Sequence, residues 1–263
     1  MTPQGSANPH PETQPDLAAA PSYRSPGKLL QFPAAPAPAS ANDTAKTAAA
    51  QPRVLLVAEF LLVFVGMPVA VFLHAGRGIA PLDLLWLATA ACLGLLLLDP
   101  TFDRRQLWNA LPLRRQLPQI LALFGVGVLV LTTLVRIYAP GLFLGLPRHH
   151  PAFWAFVMLT YPPLSVIPQT LVYRVFLFHR YRSLLPAHPR TQSAALILMS
   201  TAAFCFSHIV FHNWIALALT LPGGVLFATR YNNTRSLCVS ALEHSLYGCL
   251  LFTLGLGRFF GVG

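Results

Sequence analysis

The sequence predicts an all-α fold, a polytopic transmembrane helix bundle of about seven helices with its N-terminus inside, and three observations carry that expectation. The chain is 55% hydrophobic and 10% charged, with a mean hydropathy of +0.57, whereas a soluble domain carries about 25% charged residues. Its apolar residues gather into runs close to the length of about 20 that crosses the hydrocarbon of a bilayer. Its Lys and Arg residues fall between those runs, as topology determinants do.

Taken in order, residues 1–50 are rich in Ala, Pro, Ser, Thr and Gln, without an apolar period or the hydrophobic core of a cleavable signal peptide. They read as a disordered cytoplasmic tail, followed by a transmembrane domain over 51–263. The spans are expected at 54–75, 80–98, 118–138, a long segment within 152–180, 195–212, 214–229 and 236–257. With the tail inside, thirteen Lys and Arg residues fall on the inner side, in the tail and in the loops near Arg104, Arg114, Arg180, Arg190 and Arg230. Only Arg77, Arg136, Arg148 and Arg258 fall outside, which places the C-terminus outside.

The net charge of +10 does not mark a nucleic-acid binder, because the basic residues are not gathered on one soluble face. The four cysteines, Cys92, Cys205, Cys238 and Cys249, lie in apolar runs without CxxC spacing, so neither a disulfide framework nor a thiolate zinc site is indicated. No internal repeat of the kind transporters carry is evident.

Polar residues inside spans carry the functional signal, since burying an ionisable group in hydrocarbon costs about 3 kcal/mol on insertion scales. They cluster in the last four segments: Gln169, Thr170 and Arg174 in the fourth, His208, His212 and Asn213 near the end of the fifth, and Glu243, His244, Ser245 and Tyr247 in the last. At 1.5 Å per residue, Gln169, His208 and His244 lie roughly 17, 20 and 12 Å from the inner surface, a common depth from which they reach one cavity. Pro162, Pro163 and Pro168 are expected to break the fourth segment just before that point.

These residues resemble the motifs of the CPBP family of intramembrane proteases, also called the CAAX prenyl protease or Abi family. Its motifs are EExxxR, FxxxH and HxxxN, or a variant of the last, on successive helices. QTLVYR at 169–174 stands at the first, FCFSH at 204–208 matches the second, and HSLYG at 244–248 stands at the third. The resemblance covers about 160–258 and implies hydrolysis of a peptide bond inside the membrane, by water activated between a glutamate and histidines. It assigns catalytic roles to His208 and His244, leaves Gln169 and Thr170 where the family carries its Glu pair, and puts Gly248 where an asparagine would help bind the oxyanion. An amide such as Gln169 has no titratable proton near neutral pH and cannot act as a base.

Thr170 cannot neutralise Arg174 either, so the arginine is expected to pair with Glu243 or Glu59 across the bundle, or to snorkel inward beside Arg180. Glu243 or Glu59 is also a candidate for a relocated base. No cofactor is called for, although a divalent metal such as zinc remains open, because His208 and His212 share a helical face and His244 could add a third ligand. Three functions stand: a CPBP-like endopeptidase impaired by its substituted glutamates, a non-hydrolytic adaptor or chaperone for a lipidated or transmembrane segment, and a small transporter. The expected partners are membrane lipid and a peptide or membrane-protein substrate, with no nucleic acid. The style of the chain reads as bacterial, which would put the bundle in an inner (cytoplasmic) membrane.

Overall fold

The computed structural model describes residues 52–74 and 80–261. The expectations for the tail at 1–50, for Arg77 and for Gly263 fall outside the described residues. Among the described residues, six helices are long and apolar enough to cross a membrane: α1 (Arg53–Leu73), α2 (Pro81–Leu98), α3 (Leu113–Tyr138), α4 (Pro151–Arg180), α5 (Pro189–Phe211) and α6 (Trp214–Thr234). A shorter apolar helix, α7 (Leu237–Thr253), follows. The protein is an integral membrane protein, all-helical over the described residues. Its most exposed large side chains include Leu62, Leu98, Leu129, Leu159, Leu198 and Trp214 on these helices. Such surfaces suit lipid, whereas an apolar patch of this extent on a soluble protein would drive association.

The buried core is concentrated on α4, where every residue from Thr170 to Phe178 is buried. Phe64 of α1 sets its ring edge-on against Tyr173 and Tyr181, with centroids 5.5 and 5.9 Å away. The prolines of α4 do not break it. The helix instead runs on through two widened turns with i→i+5 bonding, Pro162–Val166 and Leu171–Phe176. A proline removes one N–H and crowds the carbonyl four residues earlier, and local widening of the turn relieves that crowding. For Pro168 that carbonyl belongs to Leu164, and it accepts the indole N–H of Trp86 on α2 at 3.0 Å. A membrane interior offers no water to do this, so the donor comes from a neighbouring helix.

At the arginine-rich end, polar clamps tie the helices together. Glu59 on α1 accepts from Arg180 at 3.0 and 2.7 Å and from the Tyr181 hydroxyl at 3.0 Å. Glu243 on α7 accepts both arms of the Arg230 guanidinium from α6, each at 2.9 Å. The remaining Arg230 nitrogen donates to Gln116 and Gln119 on α3, the latter at 3.0 Å. Arg230 was expected in a loop beyond residue 229. The helix extends to Thr234, which carries Arg230 inside the bundle at 4% exposure beside a fully buried Glu243.

His179 contacts Asp99 at 2.9 Å just past the end of α2. Partial burial pushes the Asp99 carboxyl up, but hydrogen bonds from the Thr101 hydroxyl and His179 outweigh it, and the group sits below its ordinary value.

Two outcomes follow from these clamps. Glu243→Gln strands a buried guanidinium and should lower stability in detergent by about 3–5 kcal/mol, while the double variant Arg230→Met/Glu243→Leu should recover most of the loss. Thermal unfolding of the three proteins reads this directly, and equal losses for the single and double variants would contradict it. A carboxyl depressed in the folded state stabilises above its unfolded pKa, and that stabilisation disappears as pH falls through the folded value. The Tm gap between wild type and Asp99→Asn should therefore be full above about pH 5 and close as the pH drops below about 4.

Candidate functional site

Three helices supply the site, each with a stripe of residues four apart. On α4 the stripe is Tyr161, Ser165, Gln169 and Tyr173; on α5 it is Ser200, Phe204 and His208; on α7 it is His244, Gly248 and Phe252. In an ordinary helix of 3.6 residues per turn, a four-residue spacing drifts around the axis. The widened turns of α4 take more residues per turn and keep its stripe on one side. All four α4 residues line a cavity of about 1420 Å³, together with His208 and His244. The rest of its wall is almost entirely apolar and comes from every helix of the bundle.

The Phe204 ring is the centre of the polar side of this wall. The Arg174 guanidinium carbon lies 4.7 Å over the ring, within range of a cation–π attraction. His208 and His244 meet the same ring, with centroids 4.7 and 5.4 Å away, so the two imidazoles are within about 10 Å of each other. Phe227 stacks on His244 with centroids 4.5 Å apart. His208 fixes its tautomer locally: Nδ1 donates to the Phe204 carbonyl at 2.7 Å. Nε2 is left as the acceptor. His244 Nε2 lies 3.4 Å from the Tyr161 hydroxyl. Gln169 donates through Nε2 to Ser165 Oγ at 2.7 Å. Its Oε1 is buried without a partner among the described residues.

Arg174 is 2% exposed, so it does not snorkel. Neither glutamate holds it, because Glu243 is taken by Arg230 and Glu59 by Arg180. One nitrogen donates to Ser200 Oγ at 2.7 Å, to the Ser200 carbonyl at 3.4 Å and to the Tyr173 carbonyl at 3.2 Å. Ser200 Oγ in turn donates to the Tyr173 carbonyl at 2.6 Å. The charge is thus spread over neutral dipoles and a π face, with Nε unpartnered. Arg174 supports the cavity wall from behind and does not line the cavity.

Glu243 and Glu59 also lie off the cavity, as does every other described carboxylate. His212 does not join His208. It adopts a left-handed conformation with φ of 55° in the turn between α5 and α6, and its ring stacks on Phe72 with centroids 4.2 Å apart. Asn213 beside it caps α6 through Ala216 N–H at 2.8 Å. Among the described residues, no group of three His, Cys, Asp or Glu side chains is placed to share a metal ion.

Sequence reasoning missed Tyr161, Ser165, Tyr173 and Ser200. The spacing of four was present as a signal, but those residues carry no charge and do not stand out in an apolar segment. Arg230 was missed for a different reason: α6 runs to Thr234, past its expected end at 229, and carries Arg230 within reach of Glu243 across the turn near Arg235.

Residues 150–250, which build α4 to α7, match the family described as type II CAAX prenyl endopeptidase Rce1-like. This agrees with the CPBP resemblance of the motifs. No curated protein and no solved structure matches the chain.

Because Arg174 has no carboxylate partner, Arg174→Met should cost less stability than Glu243→Gln: it removes a buried charge without stranding another. Phe204→Leu should cost about 1–3 kcal/mol through lost aromatic and cation–π contacts. Thermal unfolding in one detergent, with all three variants side by side, orders them.

Proposed function

With residues 150–250 similar to the Rce1-like endopeptidases, we propose that the protein is a CPBP-type intramembrane endopeptidase that takes a lipid-modified or membrane-embedded peptide into the cavity. We place it in the inner membrane of a bacterium and assign the proton transfer to an imidazole. One observation carries the reading: a largely apolar cavity of about 1420 Å³ is lined by Gln169, His208 and His244 alike. The apolar walls suit a prenyl or acyl chain, and the polar wall suits one peptide bond.

In this reading the Gln169 amide, whose Oε1 has no hydrogen-bond partner among the described residues, turns toward the cavity to hold the attacking water. His208 accepts its proton at Nε2, the nitrogen left free by the Nδ1–H bond to Phe204. The hydroxyl adds to the carbonyl carbon, and the proton then passes to the leaving amine. Arg174 bears on the reaction only through the Phe204 ring that both histidines contact. General acid–base catalysis contributes about 10²–10⁴-fold, and an amide in place of a carboxylate forgoes part of that, so the wild-type rate is low.

A second reading is a non-hydrolytic membrane adaptor that binds the same segment without cutting it. It is favoured by the absence of every described carboxylate from the cavity wall.

An internally quenched peptide with an S-farnesylated cysteine four residues from its C-terminus, presented to the protein in proteoliposomes, separates the two. The endopeptidase reading expects slow cleavage by wild type, its loss in His208→Ala, and a rise of about 10²-fold or more in Gln169→Glu. Binding without cleavage in wild type and in Gln169→Glu alike would leave the adaptor.

A further inference from the structure

Gly248 lines the cavity on α7 without a side chain, and the space a side chain would take is filled from another helix. A Cβ built on Gly248 would overlap the Tyr161 ring edge and hydroxyl, with Tyr161 Cζ only 2.6 Å away. Glycine at 248 is therefore required by the tyrosine, because any other residue would displace the ring. The ring is held edge-on against Phe252 of α7, with centroids 4.8 Å apart, and lies just before the widened turn that begins at Pro162. Its hydroxyl reaches the His244/Gly248 face of α7 and sits 3.4 Å from His244 Nε2. Tyr161, His244 and Gly248 all line the cavity.

Resting on the endopeptidase reading above, we infer that Tyr161 is a further catalytic residue: its phenolic O–H binds the oxyanion that forms on the scissile carbonyl oxygen. The chemistry fits the group. When water adds to the carbonyl carbon, the π pair of the C=O bond moves onto oxygen and the water's proton goes to an imidazole; the pair then re-forms C=O, the C–N bond breaks, and the proton passes to the leaving amine. A donor aimed at that oxygen in a dry site lowers the barrier, since such a hydrogen bond is worth more to a charged acceptor than to a neutral one. A phenol is such a donor, and rotation about its C–O bond lets it turn from His244 to a bound substrate. At 3.4 Å the contact with His244 is at the long limit of a hydrogen bond, so little is lost in that turn. The side chain that α7 lacks is replaced in function as well as in space.

Binding tests this without requiring turnover. Two probes are compared in nanodiscs by fluorescence anisotropy: the farnesylated peptide itself, and the same peptide with a tetrahedral, anionic phosphinate in place of the scissile amide. Wild type should prefer the phosphinate. Tyr161→Phe keeps the ring over Gly248 and removes only the hydroxyl, so it should weaken the phosphinate by about tenfold or more and leave the amide probe within about twofold. The amide affinity doubles as the control for folding. Tyr161→Ala/Gly248→Asn, which frees the space and restores a donor on α7, should regain part of the preference. Equal loss for both probes, or loss for neither, overturns the role of Tyr161 and leaves the endopeptidase reading standing. Failure of wild type to bind either probe removes that reading and this inference together.

Discussion

A guanidinium buried inside the bundle without a carboxylate is the constraint around which the functional half of the molecule is arranged. Arg174 at 2% exposure needs compensation that a membrane interior cannot supply as water. The compensation is a hydroxyl and two carbonyls on one side, and the Phe204 ring under the guanidinium. That ring is also the surface on which both imidazoles rest. The position of the histidines and the solvation of the arginine are consequently one packing problem. A change at Phe204 disturbs both, and Ser200, eight residues before His208 on the same stripe, is as much a part of the arrangement as either histidine.

Charge is partitioned along the bundle. The Glu59–Arg180 and Glu243–Arg230 pairs neutralise one another toward the arginine-rich end and leave the cavity without a described carboxylate. Paired and hydrogen-bonded on several sides, these groups act as fixed fasteners between helices, as buried pairs must if their desolvation is to be offset. The two imidazoles are then the main titratable groups at the wall, and the Tyr161 hydroxyl lies at one of them.

Much of this was legible in the sequence. Apolar length located the helices to within about six residues at each end, because hydrocarbon thickness is nearly a one-dimensional constraint, although the seventh, expected as a span at 236–257, is a shorter apolar helix, Leu237–Thr253. Gln169, His208 and His244, expected at a common depth, all line one cavity. The partners of charged groups were not legible: depth says nothing about azimuth, and five residues of helix beyond the expected end of α6 moved Arg230 from surface to interior and took Glu243 from Arg174. The prolines of α4 misled in a similar way. Proline forbids one hydrogen bond, but whether the chain breaks or widens depends on a donor such as Trp86 arriving from elsewhere.

The nearly uncharged, mostly apolar wall also determines how such a chamber chooses its guest. With no described Asp, Glu, Lys or Arg side chain on it, the wall offers a ligand little long-range electrostatic guidance. Selection falls to partitioning from the surrounding lipid. Each methylene moved from water into apolar surroundings is worth about 0.8 kcal/mol, close to a fourfold change in occupancy. A guest already anchored in the bilayer has gained most of that before it arrives. Discrimination among anchored guests then rests on shape: the bulk and branching of the hydrocarbon, and whether its polar end can reach the one wall that bears hydrogen-bonding groups.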